Sequence, residues 1–195
     1  MRKMLWAFGM LVWCGTAAAG IEEAKRAYHN GDFKAAFEEF QRLADQGDAH
    51  AQYNLGVMYR KGNGVAQDDK QAVAWYRKAA AQGLADAEGN LGFMYYTGHG
   101  VAKDNAQALE WYRKAAEQGD SGSQVNVGGI YEDGAGVPAD LVRAHMWYSL
   151  AAASGDQDGI KWQKEVAAKM DAGQIREAQH QAREWTAAHA KKGKR

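Results

Sequence analysis

Proline is almost absent from this chain, with Pro138 alone, and cysteine is as scarce, with Cys14 alone. One cysteine cannot form an internal disulfide, so stability has to come from packing. So little proline argues against a Pro-rich, disordered linker. The apolar stretch from Met4 to Trp13 has ten residues, too few for a permanent membrane span, which takes roughly 20. Formal charge of one sign is missing as well, since 24 Lys and Arg balance 24 Asp and Glu. The balance is uneven along the chain. Without Arg2 and Lys3 at one end and Lys191, Lys192, Lys194 and Arg195 at the other, the body is net acidic. An acidic body excludes a nucleic-acid groove, which needs clustered Lys and Arg.

Catalytic patterns are missing too. The histidines, at His29, His50, His99, His145, His180 and His189, are dispersed, and none makes the His-Glu-x-x-His spacing of a zinc protease. No Ser-x-x-Lys pair is present for a serine β-lactamase. No phosphate loop follows a strand, because no strand pattern is apparent. The sequence therefore predicts no catalytic residue, no metal and no cofactor.

Glycine, in contrast, is abundant at 23 residues, as expected where many tight turns join helices. The N-terminus reads as a secretory leader over residues 1–19. Arg2 and Lys3 give the positive start, Met4 to Trp13 the apolar core, and Ala17-Ala18-Ala19 the small residues at a cleavage site. Cleavage is expected after Ala19, giving a periplasmic or secreted chain without a thiol. Lipidation through Cys14 is disfavoured because Trp13 stands where lipoprotein signals carry a small residue.

Self-comparison organises the rest. Residues 48–83, 84–119 and 120–155 align without a gap at a period of 36. Gly56, Gly92 and Gly128 coincide, as do Tyr59, Tyr95 and Tyr131, then Gly62, Gly98 and Gly134. The pairs Trp75-Tyr76, Trp111-Tyr112 and Trp147-Tyr148 fall in register. Each unit predicts two helices. The first has an apolar stripe through Ala51, Leu55, Met58 and Tyr59. The second opens at Asp68, Asp104 or Asp140 as N-cap; Gln71 and Gln107 are placed for capping boxes, while Arg143 denies the third unit one. Small residues such as Gly56, Ala72 and Ala79 are expected to let backbones approach, with Trp75 and Tyr76 filling the core between units. Residues 20–47 read as a shortened helix pair. Ile160–Met170 and Asp171–Trp185 read as closing helices within 156–190, with Asp171 and Gln174 as a further cap pair, and 191–195 as a basic tail. Ser149-Leu150 replaces the Arg-Lys pairs at 77–78 and 113–114, as burial beneath a closing helix would favour.

The run Leu55-Gly56-x-Met58-Tyr59-x-x-Gly62-x-Gly64-Val65-x-x-Asp68, followed by Ala72-x-x-Trp75-Tyr76-x-Lys78-Ala79-Ala80-x-x-Gly83, resembles the Sel1-like repeat, a relative of the tetratricopeptide repeat. The resemblance covers about residues 21–187. It implies an all-α fold: a right-handed α-solenoid of antiparallel helix pairs with C-terminal capping helices, the first helix of each pair on the concave side. It also implies an adaptor that holds a protein or peptide, with no nucleic-acid partner and no stable membrane span. Some exported members with a cysteine pair in every repeat have been called β-lactamases, and this chain lacks those cysteines. A cell-wall fragment-binding module or a β-lactamase-like envelope hydrolase is the alternative.

The candidate binding face lies on the first helices. Asn54, Asn90 and Asn126 recur at one position. Residues four before, three after and seven after share that face. These are His50, Val57 and Lys61, then Asp86, Phe93 and Thr97, then Gly122, Gly129 and Asp133. An Asn amide both donates and accepts, so the ladder could hold an extended peptide backbone while its varying neighbours select side chains. Equally, each Asn could bond to its own repeat and serve only structure.

Overall fold

The computed structural model describes residues 19–189. The leader as far as residue 18, with Cys14, and the basic tail 191–195 lie outside the described residues. Within them there are ten helices and no strand. α1 covers 19–29, followed by α2 (Phe33–Asp45), α3 (Ala49–Lys61), α4 (Asp69–Ala80), α5 (Ala85–Thr97) and α6 (Asn105–Glu117). Then come α7 (Ser121–Asp133), α8 (Leu141–Ala153), α9 (Gln157–Ala167) and α10 (Ala172–His189). The expected all-α class, helix paired with successive helix, is what the chain adopts. Two compact units divide between Leu84 and Ala85.

In the first unit, α2 packs on α3 and α3 on α4. Phe40, Leu43, Leu55 and Met58 are fully buried there, with Ile21 and Ala24 of α1 in the same core. In the second, α5 to α8 pack each on the next, and α8 is covered by both α9 and α10. Leu91, Met94, Val127 and Val166 are fully buried in it.

The start and stop of each helix follow from side-chain chemistry. Asp48, Asp120 and Asp156 stand before α3, α7 and α9, and their carboxylates accept from the N–H groups of Ala51, Ser123 and Gly159 at 2.8, 2.6 and 2.9 Å. These bonds satisfy donors that the first helical turn leaves free. Because Asp156 is a cap, α9 begins at Gln157, three residues before the predicted Ile160. α10 runs on to His189, past the predicted Trp185. α3 ends at Gly62, whose φ of 72° only glycine adopts readily, with its N–H on the Met58 carbonyl.

Asp68, Asp104 and Asp140 cap α4, α6 and α8 as expected. The reciprocal arm expected from Gln71 and Gln107 is not made. The backbone N–H of Asp68 donates instead to the Tyr59 carbonyl at 2.9 Å, as Asp104 does to Tyr95 and Asp140 to Tyr131. This strap closes the turn onto the end of the preceding helix and leaves the glutamine no donor to meet. Arg143 therefore costs the third unit nothing. A full capping box does form at α10: Asp171 N–H donates to Gln174 Oε1 at 2.9 Å, and Gln174 N–H returns to Asp171 Oδ1 at 2.8 Å.

The repeated glycines have a more specific cause than general room for backbones. A Cβ on Gly56 would lie 2.5 Å from the Tyr76 ring, and one on Gly128 2.5 Å from the Tyr148 ring. At Gly92 the Tyr112 ring would be 2.7 Å away. The tyrosine of the second helix thus lies flat across a side-chain-free spot on the first. The tryptophans behave less uniformly than predicted. Trp75 and Trp147 are 8% and 5% exposed. Trp111 is only half-buried, with the Lys114 ammonium 3.9 Å from its ring centroid. Trp147 meets the Trp185 ring of α10 at 5.8 Å. Beside it, Leu150 is buried and Ser149 accepts from Gln163 of α9 at 2.8 Å, so the Ser149-Leu150 change does accompany coverage by the following helices.

One buried charge stands out in the second unit. Glu88, 5% exposed, takes the position of Gln52 and Gln124 in the other repeats, and accepts from Gln118 Nε2 at 2.7 Å. Burial raises its pKa above the ordinary carboxylate value, with the Gln118 amide opposing. A carboxyl whose folded pKa is raised stabilises the fold most when protonated and loses that contribution as pH rises through the folded value.

Two measurements check this packing. Gly128→Ala should lower stability by about 1–3 kcal/mol in urea unfolding, because the overpacked ring must move. Gly129→Ala, next to it and meeting only the Tyr148 hydroxyl at 3.7 Å, should gain roughly 0.5–1 kcal/mol from helix propensity. Equal effects would mean that the ring does not sit on Gly128. Second, Glu88→Gln should melt higher than the parent at pH 7, and the gap should close as pH falls to about 4. A gap that does not change with pH would refute the raised pKa.

Candidate functional site

The predicted stripe lies on the face of the first helices opposite the core. In the first unit His50 and Lys61 are exposed, and Asn54 and Val57 are half-buried. In the second unit Asp86, Gly122, Asn126 and Asp133 are exposed, while Asn90, Phe93, Thr97 and Gly129 are half-buried. Two members turn part of their polar capacity inward along the helix. Asn54 Nδ2 donates to the His50 carbonyl and Asn90 Nδ2 to the Asp86 carbonyl, each at 2.8 Å. One bond of this kind occupies a single position of an amide that has four. Thr97 Oγ1 likewise donates to the Phe93 carbonyl at 2.8 Å. Phe93 packs against the second unit's core, with its ring 6.0 Å from His99.

In the second unit part of the stripe lines a cleft of about 420 Å³. Asn126, Gly129 and Asp133 of α7 line it, with Tyr96 of α5, Tyr112 of α6, Tyr148 of α8 and Trp162 of α9. Its opening has a sequence cause. Where the preceding repeat carries Phe93, α7 carries Gly129, and a Cβ there would meet only the Tyr148 hydroxyl, at 3.7 Å. Tyr148 is held in place by donating to Glu132 Oε2 at 2.8 Å, and Lys169 Nζ bonds Glu132 Oε1 at 2.8 Å. The Tyr148 phenol is pushed well above its usual range, first by burial and then by the Glu132 carboxylate that it bonds. Lys169 is raised by the same carboxylate. Burial also pushes the Tyr112 phenol up. All three groups thus keep their protons at any physiological pH.

Sequence reading missed Glu132, Tyr148, Trp162 and Lys169. The available signal was positional. Residues 60, 96 and 132 face the constant tyrosine of the second helix and read Arg60, Tyr96 and Glu132. A constant tyrosine beside a residue that changes charge in every repeat is unlike a core position. Among the described residues, no group of three His, Cys, Asp or Glu side chains could hold a metal ion. No helix there is long and apolar enough to cross a membrane.

The Sel1 repeat family model matches three times, over residues 49–84, 85–120 and 121–156. The chain belongs to the Sel1 repeat family. Two solved Sel1-type structures are similar along most of its length. One is a protective antigen present in uropathogenic Escherichia coli strains displaying an SLR fold. It is 34% identical with a TM-score of 0.83, over 93% of this chain and 40% of that one. The other is a Sel1 repeat protein from Oxalobacter formigenes, 34% identical with a TM-score of 0.73, over 90% of this chain and 73% of that one. The curated relative DAP3-binding cell death enhancer 1 of Rattus norvegicus is 46% identical over 43 residues, 22% of this chain and 8% of that protein. The chain thus spans a small part of that relative. These likenesses place the fold among the α-solenoids. Sel1 repeats generally mediate protein–protein interactions and are typically not enzymes.

Tyr148→Phe should cost about 1.5–3 kcal/mol, the worth of a buried hydrogen bond to a charged group. Urea unfolding at neutral pH measures it; an unchanged midpoint would show that the Glu132 bond adds no stability.

Proposed function

We propose that this chain is an exported scaffold that binds a protein or peptide partner through the exposed face of its first helices. The observation that carries the reading is the division of labour on those helices. Ala51, Leu55 and Met58, and their counterparts Ala87, Leu91 and Met94, are wholly buried. The opposite face bears Asn54 and Asn90, half-buried, and Asn126, exposed; its neighbours change in charge and size from repeat to repeat, while Leu55, Leu91 and Val127 and then Met58, Met94 and Ile130 stay apolar. A constant amide next to changing side chains suits a surface that grips backbone and selects side chains. The bonds from Asn54 and Asn90 to their own helices also serve local structure, and the rest of each amide is available to a guest. The leader-like sequence of residues 1–19 supports export to the periplasm or beyond.

The test is a photo-reactive residue placed at Val57 or Phe93 on the proposed face, and at Ala74 or Glu110 on the exposed side of the second helices, in intact producing cells. Cross-linked products of defined mass should form from positions 57 and 93 and not from 74 and 110. Asn90→Ala should weaken that cross-linking and leave the melting temperature within about 2 °C, since Asn90 lies outside the buried core and substitutions away from core contacts stay within about 0.5 kcal/mol. Equal labelling from both faces, or a lower melting temperature with undiminished cross-linking, would overturn the reading.

A further inference from the structure

The cleft within residues 85–189 has a chemistry narrower than a general peptide groove. Its floor and walls are aromatic: Tyr96, Tyr112, Tyr148 and Trp162. Its ionic lining is two carboxylates, Glu132 and Asp133, and the Lys169 ammonium; the rings already draw cations, with Lys161 Nζ 4.3 Å from the Trp162 centroid and Lys103 Nζ 5.5 Å from that of Tyr96. Lys169 is drawn onto Glu132, whose side chain is 14% exposed, and its own side chain is 59% exposed. Asp133 is exposed at the rim, and among the described residues its carboxylate is held in no close ion pair. Gly129 removes the side chain that would close the mouth. Flat aromatic walls combined with an unneutralised carboxylate fit one side chain better than others. A guanidinium is planar and weakly hydrated, stacks on aromatic rings, and pairs with a carboxylate in a fork. An ammonium is more strongly hydrated and gains less from the rings. A carboxylate ligand would meet Asp133 at the rim, with Lys169 already paired to Glu132.

We propose that this cleft is the subsite for an arginine side chain of the bound partner, stacked on Trp162 and Tyr96 and paired with Asp133. The proposal rests on the scaffold reading above and names the residue that the third repeat selects. Val125 and Ile130 on α7 supply apolar lining along the alkyl stem. The acidic excess of the body favours the same cationic partner by drawing it in at long range.

The probe is the capped pentapeptide acetyl-Gly-Ala-Arg-Ala-Gly-amide, titrated into the mature chain while the Trp162 indole N–H is followed by NMR. Peptides with Lys or Glu in place of Arg serve as comparisons. The arginine peptide should bind saturably, about tenfold tighter than the lysine peptide, with no saturable binding of the glutamate peptide. Asp133→Asn should weaken the arginine peptide about tenfold. Gly129→Phe, which restores the side chain carried at Phe93, should abolish binding while helix content and melting stay near the parent. Equal binding of all three peptides, tighter binding of the glutamate peptide, or undiminished binding by Gly129→Phe would each overturn the proposal. The cross-linking from positions 57 and 93 separates the two readings. If it persists while the arginine peptide fails, the scaffold stands without this subsite; if it fails as well, both fall.

Discussion

A tyrosine ring lying on a glycine is the contact on which each repeat is built. Gly56, Gly92 and Gly128 offer a patch of bare helix, and Tyr76, Tyr112 and Tyr148 cover it at distances that leave no room for one methyl group. Close packing of this kind fixes where two helices meet, because the interior tolerates neither a void nor an extra atom. The other regularities follow from that contact. The left-handed glycines and the backbone strap from Asp68 to Tyr59 set the length of the turn so that the tyrosine arrives over its glycine. The aspartate caps then start each helix at the matching place.

Much of this was legible in the sequence because repetition makes packing visible. A position that holds glycine three times at a period of 36 has to meet something close. The helix order, the turn glycines, the caps at Asp68, Asp104 and Asp140, and the apolar stripe all follow from spacing and propensity. The partner of the glycine did not. Tyr76 and Trp75 are adjacent, both aromatic and both constant, and nothing in one dimension says which of them lies across the glycine. The reciprocal bonds from Gln71 and Gln107 failed for a related reason. A spacing of three makes a capping box possible, but a competing backbone carbonyl, Tyr59 or Tyr95, had already taken the donor. Trp111, half-buried where its counterparts are buried, shows that a constant residue need not have a constant environment.

The candidate site divides along the same line. The stripe through Asn54, Asn90 and Asn126 is a matter of helical period and could be read directly. The cleft needs five helices to come together, and Trp162 and Lys169 come from a part of the chain that does not repeat. No periodic argument reaches those residues. The same limit hid Glu132, which reads as an ordinary surface carboxylate until Tyr148 and Lys169 are seen on either side of it.

The pairing of a fixed tyrosine with a changeable neighbour has a consequence for how such a chain can diversify. Arg60, Tyr96 and Glu132 each stand beside a ring whose position is already determined by a glycine elsewhere. The architecture therefore separates the part that must stay constant from the part that meets the outside. The three repeats already carry a cation, a neutral ring and an anion at this place on one and the same frame, so local polarity can be reversed one repeat at a time.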